Sequence, residues 1–190
     1  QDQILVLQYA LSDLSVKEAT RRRFRVLEQD EPLKALSELN RESANKNRFC
    51  EWVLLCNGGR WVGYITNKVL EVIPVEHWDK YPLEDYKKPL SDLPSVSEKD
   101  PLWYAVLALE KTTEKRLLVF NLAGLPIGTI DKVDLSQILL KRIGLNLPTT
   151  FLDSARKSNT YPLGISLPKI VDGMISSGFI QKSDLDQFKK

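Results

Sequence analysis

The stretch Cys56-Asn57-Gly58-Gly59-Arg60-Trp61-Val62-Gly63-Tyr64-Ile65-Thr66 decides the fold, with Val53-Leu54-Leu55 before it and Lys68-Val69-Leu70-Glu71-Val72-Ile73 after it. An apolar run halts at Asn-Gly-Gly, resumes as Trp-Val-Gly-Tyr-Ile, and passes into a short helical segment. Glycine reaches positive φ without a Cβ clash, so Asn-Gly-Gly between two apolar runs predicts a tight hairpin. The unit reads as strand, turn, strand, helix. It recurs from Leu117 to Asp131, which leads into Lys132-Val133-Asp134-Leu135. Gly59 answers to Gly124, Val62 to Ile127, Gly63 to Gly128, Ile65 to Ile130 and Leu70 to Leu135, all at one spacing. Matched helix starts lie upstream, Glu31-Pro32-Leu33 and Asp100-Pro101-Leu102. The prolines are spaced slightly wider, so the first copy carries extra residues before its hairpin. A repeat outweighs any single-residue clue.

Outward from the repeats, residues 1–14 read as a lead-in helix, 15–75 as the first repeat, 76–93 as a linker rich in Pro, Tyr, Lys and Asp, 94–144 as the second repeat, and 145–190 as an extension. Ser15-Val16-Lys17-Glu18 has the spacing of a capping box. Phe24-Arg25-Val26 alternates like a short half-buried strand. Pro32 and Pro101 are expected in the first turns of their helices, where a missing N–H costs nothing, with Asp100 as an N-cap. Pro74 stops the helix begun at Lys68, and Gly144 ends the one capped by Asp131. In the extension, Leu147-Pro148, Tyr161-Pro162-Leu163-Gly164 and Leu167-Pro168 read as turns or extended chain. A helix follows over 169–177 with Gly178 as its stop, and Ser183 starts another. This segment is expected to cover a sheet edge or to serve as a binding arm.

The chain has 190 residues, 27% charged, with a net charge of only +2. That balance gives no electrostatic case for nucleic acid. Two cysteines make no disulfide scaffold, and with a single histidine, His77, they make no zinc site. Catalysis by a Ser-His or Cys-His pair would have to use His77, beside a Pro-rich linker, so no enzyme activity is expected of this chain. Trp52, Trp61, Trp78 and Trp103 fall on strands and helices without a basic excess, which favours packing over base stacking. No apolar run approaches the roughly 20 residues that span a bilayer. The chain begins at Gln1 and its only methionine is Met174, so it reads as part of a longer protein.

The doubled unit resembles the CBS domain pair over about residues 15–144. The pattern is a Pro-led helix, a strand, a Gly-containing turn, and an apolar strand ending Gly-x-x-Thr/Ser-x-x-Asp before the last helix. The resemblance implies an α/β tandem CBS pair about a pseudo-twofold axis, with clefts that bind adenosine derivatives such as AMP, ADP or ATP. It also implies homodimerisation through the CBS modules. Arg22-Arg23-Phe24-Arg25-Val26-Leu27 leading to Asp30, His77-Trp78 after Ile73-Pro74, and Tyr161-Pro162-Leu163-Gly164-Ile165-Ser166-Leu167-Pro168 are similar to the C-terminal portion of cyanobacterial and plastid-type site-2 proteases. Those are membrane zinc metalloproteases with a CBS pair on the cytoplasmic or stromal side. Their His-Glu-x-x-His zinc motif does not occur here, so any zinc would belong to the parent protein, and membrane attachment to an upstream domain. The implied role is regulatory or dimerising, with a ligand-free structural or protein-interaction module as the alternative.

In ligand-binding CBS units, the Thr/Ser and Asp of the motif hold the ribose hydroxyls, a sound task for a carboxylate acceptor and a hydroxyl. The first copy keeps Gly63 and Thr66 but puts Val69 in the aspartate position. The second keeps Gly128 and Asp134 but puts Asp131 in the threonine position. A carboxylate pair repels an approaching phosphate unless a cation intervenes. The cleft around Asp134 is the better candidate, with the arginines from 21 to 25, chiefly Arg23 and Arg25, as candidate phosphate contacts. Those arginines also suit a solvated face. Thr66 and Asp131 also suit simple helix caps, and Asp134 an acidic first turn.

Overall fold

The computed structural model describes residues 2–46 and 51–188. Its contacts divide the chain into two compact units, residues 23–93 and residues 1–22 with 94–190. Each is built on a three-stranded sheet.

In the unit of residues 23–93, β1 (Phe24–Glu28) pairs in parallel with β2 (Trp52–Asn57), which pairs antiparallel with β3 (Arg60–Ile65). The hairpin is the expected one. Asn57 pairs with Arg60, and Gly58 and Gly59 both take positive φ, 55° and 84°, as a two-residue turn matched to strand twist requires. Parallel pairing of β1 with β2 needs a crossover, supplied by α3 (Leu33–Asn45). Its buried stripe, Leu33, Leu36 and Leu39, packs with Val53, Leu55 and Ile65. A short α4 (Lys68–Val72) follows β3.

The other unit repeats this plan. β4 (Ser95–Ser97) runs parallel to β5 (Arg116–Phe120), which pairs antiparallel with β6 (Pro126–Asp131). The crossover is α5 (Leu102–Lys111), burying Leu102, Ala105, Val106 and Leu109, and α6 (Lys132–Arg142) follows β6. The second turn is built differently: Gly124 sits at φ 79°, and the Asn121 carboxamide oxygen accepts from the N–H groups of Ala123 and Leu125. Into the same core come α1 (Asp2–Asp13) and α2 (Val16–Ala19), which begins with the expected Ser15–Glu18 box. The extension supplies α7 (Thr149–Ser158), α8 (Leu167–Ser176) and α9 (Lys182–Asp186). Leu167, Val171 and Met174 of α8 are core residues, so this part of the tail belongs to the fold rather than to an arm.

Segments flanking each sheet complete the two units. Three short 3-10 turns follow α4, Val75–His77, Leu83–Tyr86 and Leu90–Asp92. Leu83 is fully buried in the first core. The carbonyls of Tyr81 and Trp78 accept from Leu33 and Lys34, donors that the start of α3 leaves unpaired. In the other unit, Val16 is fully buried and the Leu14 carbonyl accepts from Leu102 at the start of α5. Isolated bridges join Pro82 to Pro32 and Ser15 to Pro101, then Lys88 to Tyr64 and Arg21 to Thr129. One device serves both units.

Two expectations at the helix starts are corrected. Pro32 and Pro101 are extended N-caps (ψ 163° and 154°) rather than first-turn residues. Asp100 turns back instead, accepting from the Ser97 N–H at 2.8 Å, as Glu31 accepts from Glu28 at 2.9 Å. Between the expected turns at Leu147-Pro148 and Tyr161–Gly164, Thr149–Ser158 form α7, a helix the sequence reading did not assign. Pro148 is its extended N-cap, and Leu152 and Ala155 are its buried face.

Candidate functional site in the second repeat

Asp131 ends β6 in extended conformation and caps α6, and Asp134 lies in that helix's first turn. Each carboxylate takes the other residue's backbone N–H: Asp134 N to Asp131 Oδ1 at 2.8 Å, and Asp131 N to Asp134 Oδ2 at 3.0 Å. This reciprocal box answers two of the helix's unpaired donors. The outer oxygens face Arg156 of α7. Nε donates to Asp131 Oδ2 at 2.9 Å, and Nη2 to Asp134 Oδ1 at 3.3 Å. The Asp134 side chain is 2% exposed and that of Asp131 11%.

Burial pushes the Asp131 carboxyl up, but the Arg156 charge and the hydrogen bonds from Asp134 and Arg156 outweigh it and hold the group below the usual carboxylate range. Burial likewise works against the Arg156 guanidinium, which Asp131, Asp134 and Asp153 hold above its ordinary value. The cation that a paired-carboxylate site requires is therefore supplied by the chain itself. Around it lies a small recess lined by Lys115, Arg116, Asp131, Lys132, Val133, Ala155, Arg156 and Asn159. The Lys132 ammonium donates to the Asn159 carbonyl and lies over the Tyr161 ring. The Tyr161 hydroxyl is buried without a hydrogen-bond partner among the described residues, and burial raises its pKa, with the Glu110 charge adding to the effect.

Gly128 pairs with Val119, and its α-carbon faces the Arg21 carbonyl, whose residue exchanges two backbone hydrogen bonds with Thr129. Gly63 has the same surroundings in the first repeat, with Lys88 and Tyr64 in those roles. Thr66 is half-buried after β3 and is not the cap of α4; that position falls to Asn67, whose side-chain oxygen accepts from Asn40 at 2.8 Å. Val69 packs against the first core. Arg25 donates to Ser43 and Glu42, and the Glu42 carboxyl is held low by Lys46 first and then Arg25. Arg23 is half-buried before β1. The structure thus brings Asp131 and Asp134 together, while Thr66, Gly63, Arg23 and Arg25 belong to the other unit.

Cys50 lies outside the described residues. The Cys56 thiol is raised by burial and by Glu28, which its sulfur approaches at 3.3 Å, the opposite of an activated nucleophile. Among the described residues no group of three or more His, Cys, Asp or Glu is placed to hold a metal, and no helix is long and apolar enough to cross a membrane.

No protein-family model matches the sequence, and no curated protein matches it either. Solved structures do. The CBS domain of the bacterial CNNM/CorC family Mg2+ transporter in complex with ATP superposes with a TM-score of 0.55 at 18% identity, covering 73% of this chain and 96% of that one. The fold is a tandem CBS domain pair. The soluble part of a magnesium transporter aligns at a TM-score of 0.54 and 12% identity over 70% of this chain and 50% of that one. A CBS domain pair/ACT domain protein from Thermotoga maritima aligns at 0.50 and 17%, over 67% and 98%. Within this CBS pair, the Asp134 position was legible in the sequence and Arg156 was not. The spacing of Leu152 and Ala155 behind Pro148 was the available signal for its helix.

Proposed function

We propose that this chain is a non-catalytic regulatory CBS module that responds to adenosine nucleotides through its second repeat. Asp134 and Asp131 would take the ribose hydroxyls, and the cations around them the phosphates. The observation that carries this reading is the placement of Asp134: a carboxylate in the first turn of α6, directly behind the Gly128 strand, in a CBS fold. The transporter CBS domain solved with ATP supports the ligand class. Even without Arg156, the lining cations Lys115, Arg116 and Lys132 outnumber the two carboxylates of the recess, so an anionic ligand is electrostatically acceptable there. The first repeat offers no such acceptor, because Val69 is committed to packing.

The parent we propose is a membrane-bound site-2-type zinc metalloprotease, on the sequence likenesses around Arg22–Leu27, His77-Trp78 and Tyr161–Pro168. The zinc would be the parent's, and the CBS module would act as a homodimer that biases a two-state arrangement. The second reading, a ligand-free structural or interaction module, is favoured by one observation, the pairing of both carboxylates with Arg156.

Calorimetric titration with AMP, ADP and ATP, with and without magnesium, separates the two. Saturable binding below about 1 mM, lost in Asp134→Ala, supports the nucleotide reading. No saturation in that range by the wild-type chain or by a variant with the Arg156 pairing removed overturns it in favour of the structural module.

A further inference from the structure

We propose that α7 is a resident occupant of the ribose position, fastened by Arg156, and that nucleotide and α7 exclude each other at Asp131 and Asp134. This inference rests on the nucleotide reading above and adds to it a built-in competitor.

Access comes first. A ligand must reach the carboxylates from the side that Arg156 now covers, since their other oxygens are turned into the capping box. With Arg156 in place, Asp134 is 2% exposed at its side chain. The recess that remains has room for no more than about one water molecule, far short of a nucleotide. As the structure stands, α7 and a nucleotide cannot share the site.

Release is the second requirement, and α7 is built for it. Its apolar seat is a small cluster of Leu152 and Ala155 against Val133, with Leu147 at its margin, separate from the unit's main core. Its other ties are peripheral: Lys132 Nζ to the Asn159 carbonyl at 3.2 Å, and Lys115 Nζ to the Lys157 carbonyl at 3.5 Å. Segments with so little burial open locally at far lower cost than the domain unfolds. Both ends of the strap are fixed. It leaves α6 at Gly144 and rejoins the main core at Tyr161, ahead of α8, where Leu167, Val171 and Met174 are buried. Residues 145–160 can therefore lift while the sheet, α6 and Tyr161 stay in place. The guanidinium is the only group on α7 that reaches both carboxylates among the hydrogen bonds of the described residues.

Lifting the strap uncovers two acceptors ringed by Lys115, Arg116 and Lys132, the pairing of hydroxyl acceptors and phosphate-binding cations that a nucleotide needs. Ligand affinity is then reduced by the fraction of molecules in which α7 is docked. Loss of a charge-assisted fastening of this kind is expected to tighten nucleotide binding about tenfold.

The test combines calorimetry and hydrogen exchange on the full chain, comparing wild type, Arg156→Ala and Arg156→Lys with ATP and AMP as probes. Arg156→Ala takes the guanidinium away from two buried carboxylates, so Arg156→Lys is the control: Lys keeps the charge but cannot bridge both carboxylates. We expect Arg156→Ala to bind nucleotide about tenfold more tightly, Arg156→Lys to fall between, and amide exchange over 149–159 to quicken in Arg156→Ala and in wild type with nucleotide. Wild-type binding that weakens in Arg156→Ala overturns the exclusion and makes Arg156 a ligand contact, leaving the nucleotide reading intact. If neither protein binds nucleotide, the nucleotide reading falls and the exclusion falls with it. The exchange arm then still decides the fastening: quickened exchange in Arg156→Ala upholds it, and unchanged exchange overturns it.

Discussion

Asp131 stands between two demands. As the N-cap of α6 it must present an oxygen to the Asp134 N–H, and as a buried carboxylate it must find a counter-charge. Both needs favour the ionised form strongly enough to overcome burial, so its pKa lies below the usual range. The groups facing it are Arg156 and Asp134, with Lys115, Arg116 and Lys132 around the recess. A depressed folded-state pKa stabilises docking above the unfolded value, about 3.9 for Asp, and that contribution is lost as pH falls through the folded value. Exchange protection of 149–158, corrected for intrinsic rates, should therefore stay level from about pH 7 to 5 and fall below about pH 4. Arg156→Ala should flatten that profile. A wild-type loss already complete at pH 6 would count against the pairing as its cause. These two aspartates could be read from sequence because their spacing is local, three residues within one cap. Arg156 could not, because its partners lie more than twenty residues away and nothing local marks an arginine that turns inward.

The hairpins show the same division at the scale of elements. Asn57-Gly58-Gly59 specifies its turn locally, and so the first hairpin followed from the sequence. Gly63 and Gly128 did not explain themselves, since what they accommodate is another stretch of chain. A Cβ on Gly63 would stand 2.5 Å from the Lys88 carbonyl oxygen, and one on Gly128 would stand 2.6 Å from the Arg21 carbonyl oxygen and 2.6 Å from Thr20 Cγ2. The two carbonyl oxygens belong to backbone held by paired hydrogen bonds, Tyr64 with Lys88 and Thr129 with Arg21. Gly63→Ala and Gly128→Ala are each expected to destabilise by about 1–3 kcal/mol through overpacking, seen as a lowered urea midpoint with an unchanged slope. Gly173, with open space around its added Cβ, is the control: Gly173→Ala should be neutral or mildly stabilising, by about 1 kcal/mol at most. α7 escaped notice for a related reason. Its apolar face is two residues wide, and Pro148 and Tyr161-Pro162 on either side look like turn signals without the partner that completes the helix.

At the scale of the whole molecule, chain order and structural units do not coincide. Residues 1–22 belong with 94–190, and 76–93 belong with the repeat before them. Hydrophobic periodicity fixed the two sheets, but it could not show that a Pro-rich stretch supplies a core leucine and the cap of α3. Leu83 is fully buried, its N–H bonds to the Glu31 carbonyl, and its neighbours Trp78 and Tyr81 receive the first donors of α3. Leu83→Ala should thus cost about 2–5 kcal/mol, more than an ordinary linker residue would. The sharper test is excision. A piece spanning 23–93 retains the cluster of Leu33, Leu36, Leu39, Val53, Leu55, Ile65 and Leu83, together with the Tyr64–Lys88 bridge. A piece cut at the repeat boundaries, 15–75, loses Leu83, the α3 cap and that bridge. The first should fold, with dispersed amide resonances and a cooperative thermal transition, and the second should not. The comparison is informative because the shorter piece keeps every strand and helix of the first repeat. If 15–75 also folds cooperatively with comparable stability, the following segment is a passive tether and the unit is the sequence repeat itself. If only 23–93 folds, the repeat is incomplete without the chain that follows it, and the matching bridges at Ser15–Pro101 and Arg21–Thr129 make the same demand of residues 15–21 for the second unit.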